Sequence, residues 1–435
     1  MVQTLTHNQP IDFLLPDFLA QWPYERRLHP DYGTVDVESA IWVNEHQFFV
    51  AKAQKSFDAS RFGLLGCLIF PLNTKDFCRT GCDLANVYFV IDEFTDVAEP
   101  QAAAQVCDGV MDVLRNPYKE RNPGDKLGIF MQEFWQRALN LTDPGAACVK
   151  HFIDGFDLYM KSMIQESEDR ESKRVRPIDD YLQLRRETFG AQATIALLGF
   201  GLEIPEDVLS HPVMESMLLA AMDLLCITNL LPQDMHSYSI ELARGIAFHN
   251  IVSSIILEHG LSVPAAMSWL EDFGKSRVKV FLDGVEKLPS WGPEIDGRVR
   301  EYIDSVGYLV RGADAWSYES ERYWGNKGQE VQRTRVVTII PKDSQQGLVT
   351  REELEATMQY THTNELSITS VAYEKTYWQV ISGLPQSLSA IPSLFTYSKM
   401  PRVPRGELGT TVITLDHYTP VLSAFRPVFP AVQRN

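Results

Sequence analysis

Through most of the first 325 residues, apolar positions recur every three to four residues, the spacing that lays them along one face of an α-helix. Breaks rich in Pro, Gly, Asp and Asn cut this pattern into segments near 36–54, 59–70, 76–94, 99–116, 126–141, 145–166, 176–188, 191–200, 206–227, 233–259, 263–285 and 292–324, each predicted to be helical. One stretch is not amphipathic: Gly81-Cys82-Asp83-Leu84-Ala85-Asn86-Val87-Tyr88-Phe89-Val90-Ile91 is apolar almost all round, which predicts a helix buried at the centre. Ahead of the first helix, Phe13 to Asp31 is punctuated by Pro and aromatic residues, with Trp22-Pro23-Tyr24 and His29-Pro30 reading as an extended strap. After about Arg333 the character changes, because Thr334-Arg335-Val336-Val337-Thr338-Ile339-Ile340-Pro341 and Thr410-Thr411-Val412-Ile413-Thr414-Leu415 are β-prone and Pro385 to Pro430 is rich in Pro. The pattern predicts an all-α domain over 1–333 and an extension over 334–435, either loosely packed or a small capping element. There is no internal repeat and no heptad run long enough for a coiled coil.

Composition narrows the class. Of the 435 residues, 45% are hydrophobic and 22% charged, the balance of a globular chain with a sizeable core. No window reaches the roughly 18 uninterrupted apolar residues of a membrane span, and the N-terminal residues have neither the basic flank and apolar stretch of a secretory signal nor an Arg-rich transit segment, so a cytosolic location is expected. Six cysteines form no CxxC; Cys78 and Cys82 lie four apart but nothing in the sequence completes a metal set, and free buried thiols are the expectation. The net charge of -17 argues against nucleic acid. It would repel a phosphorylated substrate as well, unless positive charge is supplied locally by divalent cations and a few arginines.

Four segments offer such chemistry. Asp92-Glu93-Phe94-Thr95-Asp96 ends the buried run. Carboxylates there are costly unless paired or metal-bound, and they oppose the helix dipole; the other reading is a solvated acidic loop. Gln233, Ser237 and Glu241 follow Pro232 at strict four-residue spacing, so a helix starting after that proline would turn carboxamide, hydroxyl and carboxylate oxygens to one side, as hard ligands for Mg2+ or as a plain polar stripe. In Leu184-Arg185-Arg186-Glu187-Thr188-Phe189-Gly190 a doubled Arg meets a Gly able to leave the helix in a conformation closed to other residues, aiming a carbonyl into a cavity. Within Trp316-Ser317-Tyr318-Glu319-Ser320-Glu321-Arg322-Tyr323-Trp324-Gly325, Arg322 can fork two donors onto phosphate oxygens and Tyr323 adds a hydroxyl.

The order and spacing of these four segments resemble the class I terpene synthases of mushroom-forming fungi, which act mainly as sesquiterpene synthases. Leu15-Pro16-Asp17, Trp22-Pro23 and His29-Pro30-Asp31-Tyr32 are similar to that family's opening strap; Arg79-Thr80-Gly81-Cys82-Asp83 leads into the aspartate-rich motif as it does there. Arg185-Arg186-x-Thr188-x-Gly190, Glu241-Leu242-Ala243-Arg244-Gly245 with His249-Asn250-Ile251-Val252, and Arg322-Tyr323 match its later motifs. The resemblance covers about residues 13 to 325. It implies a helical bundle around a central active-site cavity, a cluster of three Mg2+ ions, and ionisation of farnesyl diphosphate to an allylic cation that is cyclised or quenched to a sesquiterpene hydrocarbon or alcohol, in a monomer or weak homodimer. It assigns metal binding to Asp92, Asp96, Gln233, Ser237 and Glu241, diphosphate binding to Arg186, Arg322 and Tyr323, and linker and effector positions to Phe189 and Gly190. Phe89, one turn before Asp92, and Trp316, two turns before Tyr323, are candidate cation-facing aromatics, with plain core packing as the other reading.

Two departures from the family pattern stand out. Gln233 replaces the Asn that opens the family's triad, which moves the carboxamide oxygen by about 1.5 Å at a metal that tolerates little error. Ile240 stands where some relatives have Lys, and Arg244, one turn on, is the candidate replacement. A linear or monoterpene synthase using geranyl diphosphate, and a helical scaffold whose motifs have decayed, are the competing readings.

Overall fold

The computed structural model describes residues 11–95, 100–172, 175–244 and 250–339, with 229–244 described by their helical backbone alone. The order is β1 (Ile11–Leu14), α1 (Tyr32–Glu45), α2 (Ala51–Ala59), α3 (Phe62–Ile69), α4 (Lys75–Thr95), α5 (Pro100–Arg115), α6 (Lys126–Leu139), α7 (Ala147–Ser172), α8 (Ile178–Thr188), α9 (Ala191–Leu197), α10 (Glu206–Leu209), α11 (Pro212–Arg244), α12 (Ile251–His259), α13 (Val263–Lys287), α14 (Pro293–Glu319), α15 (Glu321–Trp324), α16 (Gly328–Thr334) and β2 (Val336–Ile339). The all-α architecture expected from the apolar spacing is what forms. No single described helix is long and apolar enough to cross a membrane.

The apolar run predicted to be central is central. Along α4 nearly every residue from Phe77 to Ile91 is buried, with α3, α1, α5 and α6 packed around it. Its buried polar groups Asp83 and Asn86 are tied into a network. Asp83, fully buried, accepts from Ser39 Oγ at 2.6 Å and Arg79 Nε at 2.9 Å and pairs with Arg137, while Asn86 donates to Ser39 Oγ at 3.0 Å and Cys82 O at 3.2 Å. A second group is built on α11 against α13 and α14, and a third on α7 against α8 and α9.

The predicted segments 206–227 and 292–324 are each interrupted, at 210–211 and at Ser320, and two further boundaries are corrected. The segment 36–54 is two helices, because Gln47 takes a left-handed φ of 51° between α1 and α2. Phe48 and Phe49 in that turn still pack on the core, Phe48 lying 5.0 Å from Phe130, so the apolar spacing runs on across a break. The helix expected to start after Pro232 begins instead at Pro212 and passes through Pro232 as far as Arg244. An interior proline costs about 3 kcal/mol, and the long packing of α11 on α13 and α14 offsets it. The next helix is started by a cap, Asn250 Oδ1 accepting from Val252 N at 3.0 Å.

The strap is present and lies along α14. Trp22 Nε1 donates to Gly307 O at 2.9 Å with its ring against Phe281, and Tyr24 Oη donates to Asp304 at 2.9 Å. Its first residues form β1, which pairs antiparallel with β2 in the register Ile11 to Ile339 and Leu14 to Val336. The β-prone character past residue 333 is therefore realised over Val336–Ile339; the later β-prone run and the Pro-rich stretch lie outside the described residues.

Candidate active site

Gly81, Leu84, Ala85, Tyr88, Phe89 and Asp92 all face one cavity from α4. They fall three and four residues apart, a single helical stripe about 16 Å long at about 1.5 Å per residue. Along that stripe the chemistry changes from small and apolar, through two aromatic rings, to a carboxylate. Leu65 and Ile69 of α3 and Leu309 and Ala313 of α14 extend the apolar wall, with Tyr159 of α7 behind the aromatic stretch. Arg185, Thr188, Phe189 and Thr194 complete the lining from α8 and α9, and Arg322 and Tyr323 from α15. The free space inside it is about 120 Å³.

Thr188 Oγ1 and Arg322 Nε, both in this lining, are buried and have no hydrogen-bond partner among the described residues. Such atoms cost about 1–3 kcal/mol each, so a site that keeps them is built for a ligand that satisfies them. Both can donate, which calls for an acceptor-rich ligand. Arg322 is held by Nη1 donating to Ser60 Oγ at 3.3 Å and by its Cζ lying 4.6 Å from the Phe89 ring centre, while Phe89 stacks on Phe62 at 3.7 Å. Asp92 is half-buried and supplies a hard oxygen in the same cavity. Thus the described residues fit a divalent cation with an oxyanion, one carboxylate lining the same cavity as two guanidiniums and a hydroxyl.

The turn between α8 and α9 is fixed by Gly190, whose φ of 64° is left-handed and whose missing Cβ would sit 2.6 Å from Tyr88 ring atoms. The sequence reading aims its carbonyl into the cavity. Instead it accepts from Tyr88 Oη at 2.9 Å and Thr194 Oγ1 at 3.0 Å, two side chains that line the cavity. Burial pushes the Tyr88 phenol above its ordinary range, so it remains a donor.

The structure brings Asp92, Phe89, Phe189, Arg322 and Tyr323 into one cavity, with Gly190 directly behind its wall. It does not bring in two others. Arg186 is turned away, its Nε 2.6 Å from Asp223 Oδ1 on α11, and the buried Asp223 is also approached by Arg277 at 3.7 Å. Its neighbour Arg185 lines the cavity in its place, 3.6 Å from Glu166. Adjacent helical residues point about 100° apart, so only one of a doubled Arg can face a given side. Arg185 and Thr188 were missed by sequence reasoning, although their three-residue spacing, with Phe189 at four, marks a shared face. Trp316 is core: it is fully buried, its indole N–H donates to Ser60 O at 3.0 Å, and it braces Tyr323 and Phe89 from behind. Asp96 lies outside the described residues, as do the side chains of Gln233, Ser237, Glu241 and Arg244; the helical backbone of α11 spans the last four.

Comparison with known proteins converges on one family. The family described as terpene synthase family 2, C-terminal metal binding, matches residues 83–279. A Δ6-protoilludene synthase of Stereum hirsutum is 43% identical over 329 residues, 75% of this chain and 88% of that protein. Sesquiterpene synthase Agr8 of Cyclocybe aegerita is 42% identical over 76% of this chain and 92% of its own length. Among solved structures, linalool/nerolidol synthase from Streptomyces clavuligerus superposes with a TM-score of 0.59 at 20% identity, covering 68% of this chain and 99% of that one. Germacradien-4-ol synthase from Streptomyces citricolor gives 0.58 at 19%, covering 68% and 96%. At such identity the solved structures speak to the fold.

Proposed function

This chain belongs to the class I terpene synthases, in the branch of the basidiomycete sesquiterpene synthases, and on that premise we propose that it ionises farnesyl diphosphate with the help of bound Mg2+ and folds the allylic cation into a sesquiterpene. The observation that supports this most is the graded α4 stripe, an apolar channel ending at a carboxylate in a cavity that Arg322 and Arg185 also line. A diphosphate head with a hydrocarbon tail has the same polarity along its length.

Asp92 is the described carboxylate that would hold Mg2+, with Asp96, Gln233, Ser237 and Glu241 as the further ligands the sequence offers. Bound there, the cation would offset the diphosphate charge and help it leave as an anion. Arg322 Nε and Thr188 Oγ1 would donate to diphosphate oxygens, Tyr323 and Arg185 adding donors at the same end. Such donors grow more valuable as negative charge collects on the leaving group, so they favour ionisation over ground-state binding. Leu65, Ile69, Leu84, Ala85, Leu309 and Ala313 keep water from the hydrocarbon, and the Phe89 and Tyr88 rings offer π-faces to positive charge.

Incubation of the protein with geranyl, farnesyl and geranylgeranyl diphosphates in Mg2+, with mass-detected gas chromatography of the volatiles, tests the reading. Fifteen-carbon products from farnesyl diphosphate are expected. Asp92→Asn should abolish them without changing the thermal midpoint, and a variant that still forms product at the parent rate refutes the metal role of Asp92. Products only from geranyl diphosphate would assign the enzyme to the monoterpene reading.

A further inference from the structure

Behind the apolar end of the cavity lies a second constellation that the terpene chemistry does not use. Cys67 of α3 meets Cys78 and Cys82 of α4, the last two one helical turn apart and so on one face. Cys67 Sγ is 3.5 Å from Cys78 Sγ and 3.6 Å from Cys82 Sγ, and all three sulfurs lie within 4.8 Å of one another. Each of the three residues is fully buried.

We propose that these three thiols form a binding site for a soft divalent d10 cation such as Zn2+, distinct in place and in ligand chemistry from the Mg2+ site. In a tetrahedral ion with metal–sulfur bonds of about 2.3 Å, neighbouring sulfurs are about 3.8 Å apart. Two of the three spacings already approach that value, and the third is within 4.8 Å. Thiolate is the ligand that selects such an ion over Mg2+, which takes hard oxygen. Binding exchanges three S–H protons for one cation, leaving a cluster of net charge -1, and no redox partner is needed.

The surroundings suit a fixed site. Gly66, beside Cys67, lets the α3 backbone approach α4, since a Cβ there would lie 2.5 Å from Cys82 Sγ. Cys82 donates to Gly63 O at 3.4 Å, and the buried His29 donates its backbone N–H to Cys67 O at 3.0 Å. His29 is not a fourth ligand: its Nδ1 accepts from Asp31 N at 3.1 Å and its Nε2 sits 2.9 Å from Asn73 O. A bound ion staples α3 to α4 one residue from Gly81, at the apolar end of the stripe that finishes in Asp92.

The test uses the full chain, stripped with chelator, kept reduced by a phosphine, and titrated with Cd2+ or Zn2+ in excess Mg2+. One equivalent should be retained through gel filtration, with a sulfur-to-cadmium charge-transfer band, release of about three protons per ion, and a raised thermal midpoint. Cys67→Ser and Cys78→Ser should each weaken retention by at least the roughly tenfold that loss of even an outer-shell partner costs; Cys226→Ser, distant from the cluster, should not. X-ray absorption on the zinc-loaded parent protein, which needs no variant, should count three sulfur neighbours. Failure to retain an ion, fewer than three sulfurs, or retention unchanged in Cys67→Ser overturns the proposal. None of these readouts depends on terpene formation.

Discussion

Arg322 meets a hydroxyl on Ser60, the π-face of Phe89, and an open cavity toward which its Nε has no partner among the described residues. Lysine at this position keeps the charge and loses the planar fork. A charged hydrogen bond of this kind is worth about 1.5–3 kcal/mol, so Arg322→Lys should lower kcat/KM roughly tenfold to a hundredfold with little change in thermal midpoint, measured by steady-state diphosphate release. Unaltered kinetics would take Arg322 out of the site. A place in the cavity was legible in the sequence where a motif fixes both type and direction, as for Asp92, Phe89 and Tyr323. It was less legible where direction alone decides. Arg185 and Arg186 are chemically equal, and their places part only because Arg186 turns to Asp223 and Arg185 to the cavity. Trp316 has the size and position of a cation-facing ring, but a hydrogen bond to Ser60 O turns its edge into the core.

At the scale of elements, the site depends on how α4 and the α8–α9 junction are held together. Tyr88 on α4 donates to Gly190 O at the junction, and Thr194 Oγ1 reaches both the same carbonyl and, at 3.3 Å, the Tyr88 hydroxyl. Gly190→Ala meets two penalties: about 1–2 kcal/mol for a left-handed L-residue, and about 1–3 kcal/mol for forcing a methyl into the Tyr88 ring. Urea denaturation should show a loss of about 2 kcal/mol or more, whereas Tyr88→Phe, which removes only the hydroxyl, should lose about 1 kcal/mol. Equal stability of Gly190→Ala and parent would contradict the junction. The burial of α4 was plain from its unbroken apolar run. Helix ends were not, because they are decided by packing: Phe48 and Phe49 keep the helical spacing through a turn, and Pro232 is carried inside α11 by contacts with α13 and α14.

Across the whole molecule, the two ends of the described chain meet. Leu15 N donates to Arg335 O at 2.7 Å beside the β1–β2 pair, and the strap then runs along α14. Both strap and β-prone segment could be read from the sequence, but their pairing spans more than 300 positions, and no local pattern specifies a partner so distant. Arg311 is the fastener. It donates to Leu19 O and Tyr24 O, each at 2.9 Å, and to Asp314 Oδ2 at 3.1 Å, so one guanidinium ties the strap to the helix that leads into Arg322 and Tyr323. Burial raises the Asp314 carboxyl above the ordinary carboxylate range, and Arg311 opposes that shift. Arg311→Met would keep the aliphatic packing yet leave two carbonyls and a buried carboxylate without their donor, a loss of about 3–5 kcal/mol near neutral pH. The sign with pH follows. Without Arg311 the folded-state affinity of Asp314 for its proton rises further, so the penalty is full above that raised pKa and fades as pH falls toward the unfolded value of about 3.9. Thermal midpoints of parent and variant should therefore converge on acidification, and early proteolysis should cut the variant's strap before its helices. A gap that widens as pH falls would mean that Asp314 is not the group Arg311 holds charged.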